Sequence, residues 1–163
     1  MSLAYVSCTI DADVDAVWAV LGDFHGLPRW IARIRASESE NGSGPATVGS
    51  VRRLTLEPDG QTARERLIGY DAPGRRYSYE FADEIPFPVS TYRGTVHALP
   101  ITETGTTFLE WYGEFDCEHN VLDEVTAVFP SDLHRVHRRP EAIPARSGTA
   151  VNGKVRERTF TGG

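Results

Sequence analysis

Residues 109–116 read Leu109-Glu110-Trp111-Tyr112-Gly113-Glu114-Phe115-Asp116, and their alternation decides the fold. Successive side chains of a strand point to opposite sides of its sheet, so Leu109, Trp111, Gly113 and Phe115 share one face and Glu110, Tyr112, Glu114 and Asp116 the other. The same phase recurs upstream. Tyr77, Tyr79 and Phe81 alternate with Arg76, Ser78 and Glu80, and Tyr92, Gly94, Val96 and Ala98 alternate with Arg93, Thr95 and His97. An aromatic, apolar face backed by a charged one is the pattern of an antiparallel sheet covered on one side. In the two preceding segments the sets Arg52, Leu54, Leu56 and Glu65, Leu67, Gly69 take the inward phase. That puts an Arg and a Glu on the covered side, where charges are rare.

Turn residues divide residues 34–117 into five or six such strands. Pro58-Asp59-Gly60 separates 51–56 from 62–70, and Asp-Gly favours the positive φ angles of a two-residue hairpin. Further turns are expected at 41–45, at 72–74, at the Pro86-Phe87-Pro88 corner and at 100–105. Before the meander, residues 4–10 have strand composition and Asp11-Ala12-Asp13 can cap a helix. Val14, Val17, Trp18 and Leu21 then fall at i, i+3, i+4 and i+7, which puts one apolar stripe on a helix about two turns long. Gly22 and Asp23 end it. A second short helix is predicted over 27–31, with Pro28 tolerated in its first turn and Trp30 facing inward.

The chain has 163 residues, enough for one domain, with 40% hydrophobic and 25% charged residues, which excludes a disordered or collagen-like chain. Seventeen Lys and Arg against 23 Asp and Glu leave a net charge of −6, which argues against nucleic acid as the partner. No window supplies the roughly 20 apolar residues of a membrane span, and no signal peptide is legible at the N-terminus, so a cytoplasmic location is expected. Cys8 and Cys117 lie far apart and are read as reduced, part-buried thiols. Of the five histidines, His25, His97 and His119 sit in different elements and His134-x-x-His137 lies in the C-terminal tail, and no Gly-rich phosphate loop or nucleophile elbow is present. No metal and no cofactor are therefore expected.

The order of strand, two short helices, antiparallel meander and final segment resembles the helix-grip fold of the START-like SRPBCC superfamily, and within it the polyketide cyclase/dehydrase-like branch. The resemblance rests on Val14 through Leu21 followed by Asp23-Phe24, on Leu27-Pro28-Arg29-Trp30, on Val48-Gly49-Ser50-Val51-Arg52, on Arg64-Glu65-Arg66-Leu67 ahead of Tyr70-Asp71, on Tyr77-Ser78-Tyr79, on residues 86–92, and on Leu109-Glu110-Trp111 ahead of Phe115-Asp116. It implies an α+β fold in which a C-terminal helix lies across a curved sheet and closes a cavity for apolar ligands. Residues 1–129 are read as that ligand-binding domain.

Residues 130–163 depart from the pattern. Val121, Leu122, Val125, Val128 and Phe129 keep helical spacing, but Pro130, Pro140 and Pro144 interrupt it, and the closing helix is expected to be truncated or anomalous. Residues 121–163 carry seven Lys and Arg against five Asp and Glu, whereas the rest of the chain is acidic. Three readings of this basic, Pro/Gly/Arg-rich tail stay open: a segment that binds nucleic acid or an acidic partner through Arg135, Arg138 and Arg139, a solvated or disordered tail, and a frameshifted terminus. For the last, reading one nucleotide downstream from Ser131 allows ATYTEFIEGLKRYLP, whose apolar residues fall on one helical stripe. An interrupted helix would leave Tyr77, Tyr79, Tyr92 and Trp111 partly uncovered, from which a homodimer or poor solubility is expected.

Within the cavity, Trp30, Arg52, Glu65, Tyr79, Phe81, Tyr92 and Trp111 are the candidate ligand-binding residues, with Arg52 and Glu65 expected within salt-bridge reach. Apolar pockets use a few polar anchors, and a charged pair under a hydrophobic lid is costly unless it is hydrogen-bonded. No acid–base constellation stands out, so no catalytic residue is assigned. The expected function is binding of a hydrophobic small molecule of polyketide, lipid or isoprenoid type. The alternative is a polyketide cyclase/aromatase or dehydratase acting in the same cavity.

Overall fold

Asp13 leaves the first strand in an extended conformation (φ −61°, ψ 144°), and its carboxylate accepts from the backbone N–H of Asp15, satisfying one of the donors that a helix start leaves free. The helix α1 then spans Val14–Leu21, and Gly22 closes it by donating to the Trp18 carbonyl at 2.7 Å. A single 3-10 turn follows at Leu27–Arg29 with Pro28 inside it, shorter than the predicted helix because Trp30 already leaves helical geometry. Trp30 is buried as expected.

The computed structural model describes residues 1–86 and 88–117. Their seven strands are β1 (Ser2–Ile10), β2 (Ile34–Ser39), β3 (Val51–Leu56), β4 (Thr62–Asp71), β5 (Arg76–Phe81), β6 (Thr91–Ile101) and β7 (Thr106–Asp116). They form one antiparallel sheet in the order β1-β7-β6-β5-β4-β3-β2. The strands β2 to β7 are joined in sequence as neighbours, and β1 completes the sheet beside β7. This large curved sheet with few helices fits the helix-grip architecture. The expected C-terminal helix, its interruption at Pro130 and the division of the chain at 129/130 lie outside the described residues.

Two local details differ from the sequence reading. The β3–β4 connection is longer than a two-residue hairpin: pairing runs to Thr55 and Thr62, and Leu56 N–H donates to the Gln61 carbonyl at 2.8 Å. Asp59 and Gly60 still make the turn, Gly60 at φ +74° and the Asp59 carboxylate accepting from Gln61 N–H. The second difference lies in β4. Leu67 pairs with Tyr79 but Gly69 with Ser78 and Tyr70 with Tyr77, so Ile68 is an extra residue in a β-bulge. A bulge resets the alternation. Gly69 therefore does not take the inward phase assigned to it, and Tyr70 packs inward instead, stacked on Tyr77 and donating from its hydroxyl to the Gly22 carbonyl at 2.9 Å. Pro100, read as part of a turn, lies within the end of β6 opposite Thr107.

The core sits on the face shared by Val6, Leu67, Tyr77, Tyr79, Val96, Leu109, Trp111 and Phe115. Among the described residues, Trp18 of α1 packs on Tyr70 and Tyr77, Phe24 meets Tyr77 edge-on at 5.9 Å, and Trp30 meets Trp111 edge-on at 5.7 Å. Tyr77, Tyr79, Tyr92 and Trp111 are all buried, against the expectation of a partly uncovered face. The opposite face is polar, with Glu110 accepting from Tyr5 and paired with His97, both at 2.9 Å.

Candidate functional site

Packing on the inner face is incomplete between the β3–β6 side of the sheet and the chain at and after the 3-10 turn. A cavity of about 80 Å³ lies there. Glu65, Tyr79, Phe81, Tyr92 and Trp111 bound it on the sheet, joined by Leu54, Leu56 and Ala63 from β3 and β4. Leu27, Ile31, Arg33 and Ile34 bound it from the other side. The lining is apolar and aromatic with few polar atoms, as in sites that hold small organic ligands.

Beneath the cavity the inward phase of β3 and β4 brings two charges together. Arg52 and Glu65 are opposite one another in the β-ladder, 1% and 7% exposed. Arg52 Nε donates to Glu65 Oε2 at 2.7 Å and Nη2 reaches the same oxygen at 2.6 Å. A further donor, Nη1, bonds the Phe24 carbonyl. The guanidinium also lies 4.1 Å from the centroid of the Phe24 ring and 5.1 Å from that of Tyr79, positions that favour a cation over a π face. Burial alone would lower the Arg52 pKa. The Glu65 carboxylate and the surrounding Tyr77 and Tyr79 outweigh burial and hold it above its ordinary value.

A row of phenols continues from this pair. Gly94 pairs with Tyr79 across β5 and β6, and a Cβ at Gly94 would lie 2.3 Å from Tyr79 Cζ, so the absence of a side chain is what lets the ring lie over β6. Trp111 Nε1 donates to the Tyr79 hydroxyl at 3.0 Å, placing the two on one face as their alternation predicts. Tyr92 stands beside both Tyr79 and Phe81, with ring centroids 6.2 and 5.1 Å away. Burial pushes the Tyr79 phenol well above its ordinary value, with the Glu65 charge adding to the effect, and burial likewise raises Tyr92. Tyr77, behind them, is pushed up to about 12 by burial. At neutral pH these phenols stay protonated and act as hydrogen-bonding groups rather than bases.

Of the seven residues singled out from sequence, Glu65, Tyr79, Phe81, Tyr92 and Trp111 line the cavity. Trp30 and Arg52 stand behind that lining, Trp30 packed on Trp111 and Arg52 bound to Glu65. Arg33 escaped sequence reasoning because it lies between the 3-10 turn and β2, where no periodicity assigns a face. Ala63 shares the phase of Glu65, so alternation could have found it. Among the described residues no three His, Cys, Asp or Glu side chains are grouped to hold a metal. Cys8 is buried, its thiol pushed up to about 12 by burial, and Cys117 is half-buried; neither is in a disulfide.

A curved seven-stranded antiparallel sheet with an aromatic cavity on its inner face defines the class of the fold, that of the helix-grip proteins. The particular family follows from sequence: residues 1–139 match the family described as polyketide cyclase / dehydrase and lipid transport, and the chain belongs to it. No curated protein matches the chain. Among solved structures, a protein from Bacillus thuringiensis is 29% identical with a TM-score of 0.71, over 83% of this chain and 96% of that one. The di-domain ARO/CYC BexL of the BE-7585A biosynthetic pathway is 17% identical with a TM-score of 0.70, over 85% of this chain and 46% of that one. Norcoclaurine synthase from Thalictrum flavum is 16% identical with a TM-score of 0.64, over 86% of this chain and 83% of that one. At such identities the last two show the fold alone, and a fold of this kind hosts more than one function.

Proposed function

We propose that the chain binds a hydrophobic small molecule of polyketide, lipid or isoprenoid type on the inner face of its sheet, with Glu65, Tyr79, Phe81, Tyr92 and Trp111 in contact and Trp30 and Arg52 supporting them. The observation that carries this reading is the cavity itself, an aromatic-lined gap on the inner face with one carboxylate at its edge. Its volume bounds the ligand. A dry apolar cavity of about 150 Å³ takes benzene and drug-sized ligands need about 300–1,000 Å³, so a gap of about 80 Å³ admits one ring or a short chain only as the lining gives way.

The alternative is a polyketide cyclase/aromatase or dehydratase, and Glu65 favours it: a carboxylate bordering a cavity is a candidate general base, with protonated phenols nearby to hydrogen-bond a carbonyl oxygen. Against it, no His, Cys or Lys is among the described lining residues. Calorimetric titration with geraniol, decanoate and orcinol, one probe for each ligand type, tests the binding reading. Saturable one-site binding of at least one, lost in Leu54→Trp where the indole fills the gap, is the expected outcome. Three flat titrations would overturn it. Mass spectrometry of heptane-2,4,6-trione incubated with the protein separates the alternative: recovery unchanged fits a binding protein, and a product lighter by one water, from aldol closure of the six-membered ring and dehydration, fits the enzyme.

A further inference from the structure

The two oxygens of the Glu65 carboxylate are not equivalent. Both Arg52 contacts, from Nε at 2.7 Å and from Nη2 at 2.6 Å, fall on Oε2. No described residue hydrogen-bonds Oε1, although Glu65 borders the cavity. A guanidinium has a planar fork suited to grip both oxygens of a carboxylate, yet here it grips one. The reason is geometric, since Arg52 is turned to bond the Phe24 carbonyl while stacking on the Phe24 ring.

Resting on the ligand-binding reading above, we propose that Glu65 Oε1 is the specificity-determining acceptor of the cavity, and that the ligand is a neutral ring or short chain carrying a hydroxyl directed at it. A carboxylate oxygen accepts and cannot donate, so it rewards an O–H and is indifferent or hostile to an ether, a ketone or a second carboxylate. Arg52 balances the charge of Glu65 from below, so the site has no need of a cationic ligand. The Trp111 indole N–H at the cavity wall is already given to the Tyr79 hydroxyl at 3.0 Å. A hydrogen bond to an ionised, largely desolvated acceptor is strong enough to discriminate by about ten- to a hundredfold.

The test compares three probes of one shape against the wild-type protein by calorimetry: para-cresol, which carries the donor; para-methylanisole, which lacks it; and para-toluate, which is anionic. The expected result is para-cresol binding at least about tenfold tighter than either of the others. The double variant Arg52→Met/Glu65→Leu, which removes the acceptor without stranding a buried charge, should bind para-cresol and para-methylanisole alike. Equal wild-type affinities for those two would overturn the proposal while leaving ligand binding intact. Tightest binding of para-toluate would overturn it in favour of a cationic anchor such as Arg33. Failure of all three probes would overturn it as well, and the geraniol, decanoate and orcinol titrations then decide separately whether the cavity binds anything.

Discussion

At the scale of single residues, the Arg52–Glu65 pair is the costliest feature of the inner face and the most informative. Two charges removed from water are tolerated because the guanidinium is hydrogen-bonded to the carboxylate and to the Phe24 carbonyl and is stacked on aromatic rings. Removing one partner strands the other. Arg52→Met or Glu65→Leu alone should therefore lower the unfolding free energy by about 3–5 kcal/mol, whereas the double variant should recover most of the loss. Urea denaturation of the four proteins measures this cycle, and additive losses would show that the pair is not coupled. The buried phenols make a second prediction. A phenol that is harder to ionise when folded stabilises the fold fully below its unfolded value of about 10, and that contribution is lost as pH rises toward the folded value. With Tyr77 held near 12, and Tyr79 and Tyr92 also raised, stability should fall steeply between about pH 10 and 12. An ultraviolet titration should show those phenols ionising together with unfolding; smooth ionisation near pH 10 with the fold intact would contradict their burial.

At the scale of elements, strand register sets the face that bounds the cavity. The pairing of Tyr79 with Gly94 seats the ring against bare backbone, and that ring is boxed in by Arg52, Trp111 and Tyr92, so it cannot swing aside. Gly94→Ala should cost about 1–3 kcal/mol, read as a lower denaturation midpoint, and should loosen the Trp111 to Tyr79 hydrogen bond; a stability equal to wild type would mean the ring has room that the structure denies it. Alternation of period two made β5, β6 and β7 legible in the sequence, and with them the shared face of Tyr79, Tyr92 and Trp111. It made the inward phase of Arg52 and Glu65 legible too. The same rule failed beyond Leu67, because the bulge at Ile68 is set by pairing with β5 and leaves no mark in a pattern of apolar and polar letters. Arg33 escaped for a related reason, since a residue between elements has no period. The length of the β3–β4 loop is not legible because Asp59-Gly60 announces a turn without fixing how many residues it closes.

At the scale of the whole molecule, the inner face of the sheet is divided between packed aromatic rings and the cavity. Trp18 and Phe24 occupy one part, against Tyr70 and Tyr77, while Trp30 and Trp111 flank the part left open. This division makes the three tryptophans internal reporters. The most direct measurement is a heteronuclear NMR titration of the uniformly nitrogen-15-labelled protein with para-cresol, following the three indole N–H signals. The account predicts that the Trp111 signal, whose N–H bonds Tyr79 at the cavity wall, and the Trp30 signal beside it shift saturably while that of Trp18 stays in place. Indole signals that all stay in place at high probe concentration, or a shift confined to Trp18, would contradict the assignment of the cavity as the ligand site.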